Sequence, residues 1–164
     1  MFKFPGAVMA LYALTMIGAG ASSASAASLS RSLDVNAAPS EVWSMIGPFC
    51  AIKDWLPPVG TCSVDGKDPP TRTLVTKDGK ATFIERQISR SDTRHFYSYT
   101  FLSSPLPVSH YSSTLRVVPR GNGQSTVVWR ATYTPAPGKE KDADEALQAI
   151  YKAGLESIKA RLAT

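Results

Sequence analysis

The stretch that most limits how this chain can fold is its last one, residues 141–162. Leu147, Ile150, Tyr151, Gly154, Leu155, Ile158 and Leu162 recur three or four apart with charged residues between them, the pattern of an amphipathic helix. Acids (Asp142, Asp144, Glu145) gather at its start and bases (Lys159, Arg161) at its end, as the helix dipole favours. About 22 residues rising roughly 1.5 Å each give a rod of about 33 Å. Such a rod needs a broad apolar partner. Nearly everything between residues 71 and 134 reads as β, so the sequence predicts one long helix laid across one large antiparallel sheet.

Upstream, residues 28–36 read as a first strand with Leu29, Arg31, Leu33 and Val35 on one parity. Arg31 interrupts the apolar side, which predicts entry into the core only from Leu33. Pro39 and Glu41 suit a first helical turn. They open a short apolar helix through Val42, Trp43, Met45, Ile46 and Phe49, interrupted at Gly47-Pro48. A second helical piece over residues 51–55 stops before Pro57-Pro58. Six more strands follow over residues 61–64, 71–76, 81–89, 95–102, 108–118 and 125–134, with tight turns at Asp78-Gly79 and Gly121-Asn122-Gly123. If the sheet curls around the helix without collapsing onto it, a cavity remains. Gly154, mid-helix, fits either that space or a close helix–sheet contact.

The first residues read as an address rather than as structure. Lys3, the apolar run over residues 7–21 and Ala24-Ser25-Ala26 make a secretory signal peptide, residues 1–26, cleaved after Ala26. The run is broken by Gly18 and Gly20 and is shorter than the roughly 20 residues a span needs, so no stable membrane span is expected after cleavage. Residues 27–164 have one-domain length. Loss of Lys3 takes the formal charge from +5 to +4. The bases are scattered, and no basic helix, metal-finger spacing or RNA-binding aromatic signature argues for a nucleic-acid partner. Export puts Cys50 and Cys62 where disulfides persist; a bridge and two buried free thiols both stay open. With two histidines, His95 and His110, and no metal-like spacing, no metal is expected, and no cofactor motif is present.

Parity picks out the candidate site. Tyr97, Tyr99 and Phe101 face together, as do Tyr111, Ser113, Leu115 and Val117, and Val127, Trp129, Ala131 and Tyr133. Together they form either an aromatic core or a wall for a flat, greasy ligand. On the strand over residues 81–89, Phe83, Glu85 and Gln87 share one face and Ile84, Arg86 and Ile88 the other, and either is free to be inward. An inward Glu85 would have a raised pKa suited to acid–base work, unless Arg72 on the neighbouring strand holds it ionised; a solvated surface pair is the alternative. His95 and His110 are surface residues or bases near a cavity mouth. No nucleophile elbow, HExxH, phosphate loop or dinucleotide fingerprint occurs in the folded part.

The chain resembles the START-like superfamily known as SRPBCC. The resemblance rests on Ala38-Pro39-Ser40-Glu41-Val42-Trp43-Ser44-Met45-Ile46-Gly47 with Phe49, Trp55-Leu56-Pro57 and Arg72-Thr73-Leu74 before Asp78-Gly79. It continues through Glu85-Arg86, Tyr97-Ser98-Tyr99, Pro105-Leu106-Pro107-Val108 with Tyr111, Val127-Val128-Trp129 and Tyr151-Lys152-Ala153-Gly154-Leu155. It looks most like the polyketide cyclase/dehydrase subgroup and its exported MxaD-like members, associated with periplasmic methanol oxidation. The resemblance implies an α+β helix-grip fold: a curved seven-stranded antiparallel sheet wrapped around the C-terminal helix, with two short helices after the first strand. It also implies a cavity between sheet and helix, lined by Trp55, Arg72, Glu85, Tyr97, Tyr99, Phe101, Tyr111, Trp129, Tyr133, Tyr151 and Gly154. Cys50 stands where its likenesses carry a small residue, which favours a bridge to Cys62 particular to this chain. Three roles follow as expectations. One is an exported, periplasmic or secreted, binder of a hydrophobic small molecule. Another is a cyclase- or dehydratase-like enzyme using Glu85, Tyr99 or His110. The last is an accessory partner of a periplasmic oxidoreductase.

Overall fold

The computed structural model describes residues 25–163, so the expected signal peptide lies almost wholly outside the described residues. The elements run β1 (Ala27–Val35), α1 (Pro39–Ile46), α2 (Ile52–Trp55), β2 (Val59–Val64), β3 (Thr71–Thr76), β4 (Thr82–Ser91), β5 (Phe96–Ser103), β6 (Val108–Gly121), β7 (Gln124–Pro135) and α3 (Glu140–Leu162). All seven strands join one antiparallel sheet in the order β1-β7-β6-β5-β4-β3-β2. β2 through β7 form a meander, and β1 closes the far edge beside β7. The chain reaches β2 from β1 through α1 and α2, and α3 packs on β1, β7 and α2. This is the helix-grip arrangement. Among the described residues, no helix is long and apolar enough to cross a membrane.

Local chemistry explains the punctuation. Pro39 occupies the first turn of α1, where its missing N–H is not needed. The β3–β4 hairpin turns at Gly79, whose φ of 71° is disfavoured for any residue with a side chain. On α3 the buried side is Ala143, Leu147, Tyr151, Gly154, Leu155 and Ile158, steps of three and four that keep one stripe on the sheet.

The first strand corrects the reading of Arg31. Leu29 is already buried, opposite Ala131 of β7, so β1 touches the core two inward positions earlier than expected. Arg31 shares that parity yet stays exposed, and its guanidinium donates to the Gln148 side chain on α3.

Cys50, between the two short helices, is bridged to Cys62 on β2, with Cα atoms 5.5 Å apart. The bridge ties the α1–α2 corner to the β2 edge of the sheet. It settles the alternative left open by the sequence.

Candidate functional site

The space beneath α3 is divided. Under the C-terminal half of the helix it is full: a Cβ built on Gly154 would lie 2.8 Å from Trp129 Cζ3, 3.1 Å from Leu56 Cδ1 and 3.2 Å from Trp55 Cζ3. Gly154 is therefore a close-packing residue, and its expected place on a cavity wall is corrected. Trp55 is likewise core, its ring T-shaped against Trp129 at 5.4 Å between centroids. Under the N-terminal half, a cavity of about 240 Å³ opens between Leu147, Ile150 and Tyr151 of α3 and the concave face of the sheet. Sheet side chains on it include Leu74, Phe83, Glu85, Tyr99, Phe101, Tyr111 and Trp129. Pro58 and Pro105, both exposed, with the half-buried Ala81, Leu106 and Ile150, mark its open end. The lining is almost entirely carbon.

Strand parity positions these rings. Tyr97, Tyr99, Tyr111, Ser113, Leu115, Val117, Val127, Trp129, Ala131 and Tyr133 are all buried on the inner face, as alternation predicted. Only part of that face borders the cavity. Tyr97 sits to one side against Phe49, 5.6 Å between ring centroids. Tyr133 lies toward the start of α3, where its hydroxyl donates to Asp144 at 3.2 Å. The cavity walls are stiffened by two stacked pairs, Phe101 on Tyr111 at 3.8 Å and Trp129 on Tyr151 at 4.1 Å between centroids.

Glu85 faces inward and Arg86 outward, which overturns the reading of a solvated surface pair. Arg72, wholly buried, stands behind Glu85: its Nε donates to Glu85 Oε2 at 2.6 Å, and Nη2 lies 2.6 Å from the same oxygen without hydrogen-bonding geometry. Arg72 Nη1 donates to the carbonyl of Phe49. The guanidinium is boxed by aromatic faces, 4.1 Å from the Phe49 ring centre and 5.0 Å from that of Tyr99. Arg72 thus supports the wall from behind, and Glu85 is the part of the pair that borders the cavity. Burial pushes the Glu85 carboxyl above its ordinary value while Arg72 pulls it back. For Arg72, burial works against the charge, but Glu85 and the neighbouring phenols outweigh it and hold the guanidinium above its ordinary value.

A second polar group borders the cavity. Tyr99, Tyr111 and Tyr151 converge with Ser113 and Trp129 Nε1. Tyr111 and Tyr151 hydroxyls are 2.6 Å apart, Ser113 Oγ and Tyr151 2.7 Å. Burial raises all three phenols well above their ordinary value, so each carries its proton.

Neither histidine joins the site. His110 is exposed at a φ of 50°, in the β6 irregularity between Ser109 and Ser112, so its candidacy as an inward base is withdrawn. His95 lies in the turn before β5, its ring 5.9 Å from that of Trp43. Sequence reasoning missed Ile52, Val59, Leu74, Thr76, Ala81, Phe83, Leu147 and Ile150 as lining residues. Leu147 and Ile150 were signalled by the helical stripe, whereas Ala81, beside a turn, carried no periodic signal. Among the described residues, no group of three or more His, Cys, Asp or Glu could hold a metal ion.

The profile of a known family, described as polyketide cyclase / dehydrase and lipid transport, matches residues 26–163. The chain belongs to this family. Several solved structures share the fold just described. The protein XoxI from Bacillus cereus is 30% identical with a TM-score of 0.78, covering 83% of this chain and 95% of that one. A Streptomyces aromatase/cyclase, Zhui, is 18% identical with a TM-score of 0.68 over 84% of this chain and 94% of that one. Norcoclaurine synthase from Thalictrum flavum is 16% identical at 0.68, over 85% and 96%; at such identities the last two show the polyketide-cyclase-like fold alone. No curated protein sequence matches the chain.

Proposed function

We propose that this protein is an exported carrier or receptor for a small apolar molecule, held beneath the first half of α3. The observation that carries the reading is the cavity itself: about 240 Å³, walled by stacked rings and aliphatic side chains. Solid packing of that half would have been the cheaper way to bury α3, since unfilled apolar space forfeits contact energy on every wall. An apolar cavity of about 150 Å³ takes up benzene, so this one suits a pair of fused rings or an aliphatic chain of similar bulk. Membership of a family whose description includes lipid transport supports the reading. The leader pattern of residues 1–26 and the Cys50–Cys62 bridge support export to an oxidising compartment, periplasmic or external.

A second reading, turnover of the bound molecule by a cyclase- or dehydratase-like step, is favoured by one observation: a carboxylate, Glu85, and a phenol, Tyr99, border the same cavity. Binding is common to both readings and is tested first. Calorimetric titration with naphthalene is expected to give saturable one-to-one binding in the wild type and none in Ala81→Trp, which would plug the open end. Absence of saturable binding to the wild type would overturn the proposal.

A further inference from the structure

The polar group on the cavity wall has a direction that its donors and acceptors fix. Ser113 Oγ lies 2.9 Å from the Arg130 carbonyl, 2.7 Å from the Tyr151 hydroxyl and 3.0 Å from Trp129 Nε1. A carbonyl only accepts and an indole N–H only donates, and a serine hydroxyl has one proton. That proton therefore goes to the Arg130 carbonyl, and Ser113 accepts from Trp129 and Tyr151. Tyr151, having donated to Ser113, must accept from Tyr111 at 2.6 Å. Tyr111, having donated to Tyr151, can only accept from Tyr99, and that contact is stretched to 3.5 Å. Tyr99 oxygen already accepts from Trp129 Nε1 at 3.2 Å. One assignment satisfies every contact, and it runs Tyr99 to Tyr111 to Tyr151 to Ser113 to the backbone. The head of the chain, the Tyr99 O–H, is left at the outer limit of hydrogen bonding, on the wall of a largely carbon-lined space that also holds the Arg72-paired Glu85.

We infer that the cavity selects apolar molecules that carry a carbonyl oxygen, such as an aryl ketone or an ester, which accepts the Tyr99 proton in place of the stretched contact to Tyr111. This rests on the binding reading above and names the class of ligand it serves. A ligand with only donors to offer finds no partner in this group, because every oxygen downstream of Tyr99 is committed; it would have to turn to Glu85, whose Oε2 already accepts from Arg72. A pure hydrocarbon leaves that donor as the empty cavity does and gains nothing from it.

The test uses two isosteric probes, 2-acetylnaphthalene and 2-isopropenylnaphthalene, which differ by a carbonyl oxygen against a methylene. Tyr99→Phe is a clean variant, since Trp129 Nε1 keeps Ser113 and the chain from Tyr111 onward stays whole. The expected result is a loss of about 2- to 12-fold in ketone affinity, the range of one net hydrogen bond, with little change for the alkene. Isotope-edited infrared spectra of the bound carbon-13 ketone need no variant: its carbonyl stretch should lie below the value in an alkane solvent, and return towards it in Tyr99→Phe. Equal losses for both probes, or an alkane-like stretch in the wild type, would overturn the inference while leaving the binding reading intact. Failure of both probes to bind the wild type would remove the binding reading and this inference with it.

Discussion

Glu85→Gln is expected to destabilise the folded protein by about 3–5 kcal/mol, the cost of leaving one partner of a buried ion pair uncompensated. That corresponds to a fall in melting temperature on the order of 10 °C, read by calorimetry or circular dichroism. Arg72 has no exit: it is wholly buried, and a guanidinium keeps its proton at any accessible pH. Hence the Glu85→Gln variant cannot relieve its buried charge by titration. The reverse substitution, Arg72→Met, should behave differently, because Glu85 can discharge itself by taking a proton. Burial already raises its folded-state pKa, and removing Arg72 removes the opposing pull. Between the unfolded and the raised folded value, the folded state binds more protons, so stability falls as pH rises through that window. The Arg72→Met variant should therefore gain stability on acidification through that window, whereas the Glu85→Gln variant, with no carboxyl at position 85, should not. Identical pH profiles for the two variants would contradict the assignment of roles within the pair.

Removing the bridge with Cys50→Ala and Cys62→Ala together is expected to cost about 3 kcal/mol, the chain-entropy value for a loop of this size. The separation is 12 residues. Here the loss should exceed simple loop entropy in its reach, because Cys50 follows Phe49, whose carbonyl accepts from Arg72. The bridge thus anchors the backbone that holds the buried cation. Combining the double cysteine variant with Glu85→Gln should give a loss that departs from the sum by more than about 0.5 kcal/mol, as contacting elements do. Strict additivity in equilibrium unfolding would show that the bridge and the ion pair act independently.

How much of this was written in the sequence depends on which residues are asked. The inner wall was legible because a strand has a period of two: once Trp129 is placed inside, Val127, Ala131 and Tyr133 follow, and the same holds for Tyr97, Tyr99 and Phe101. Arg31 misled for a physical reason. Its parity is inward, but at an edge strand a long stem can leave the core and take its charge to solvent. The facing of Glu85 was undetermined, since Phe83 and Ile84 offer apolar residues on both sides of β4; what decides it is Arg72, wholly buried on β3 and opposite Glu85 in register. Least legible was the division of the space beneath α3. Periodicity says that Leu147, Tyr151, Gly154 and Ile158 face the sheet, and nothing about how far away it is. That distance is set at Gly154 by Trp55 and Trp129, which fill the notch there, whereas the side chains around Leu147 and Ile150 leave the other half open. Volume complementarity between residues far apart in the chain has no local signature.

The claim on which the functional account stands is that the open half of this grip receives an apolar guest. Its most direct test is intermolecular nuclear Overhauser contacts in a naphthalene complex of the described domain. The account predicts contacts from the guest to Leu147, Tyr151, Tyr99 and Trp129, and their loss in Ala81→Trp. Contacts confined to the outer face of the sheet, or none at saturating guest, would contradict it.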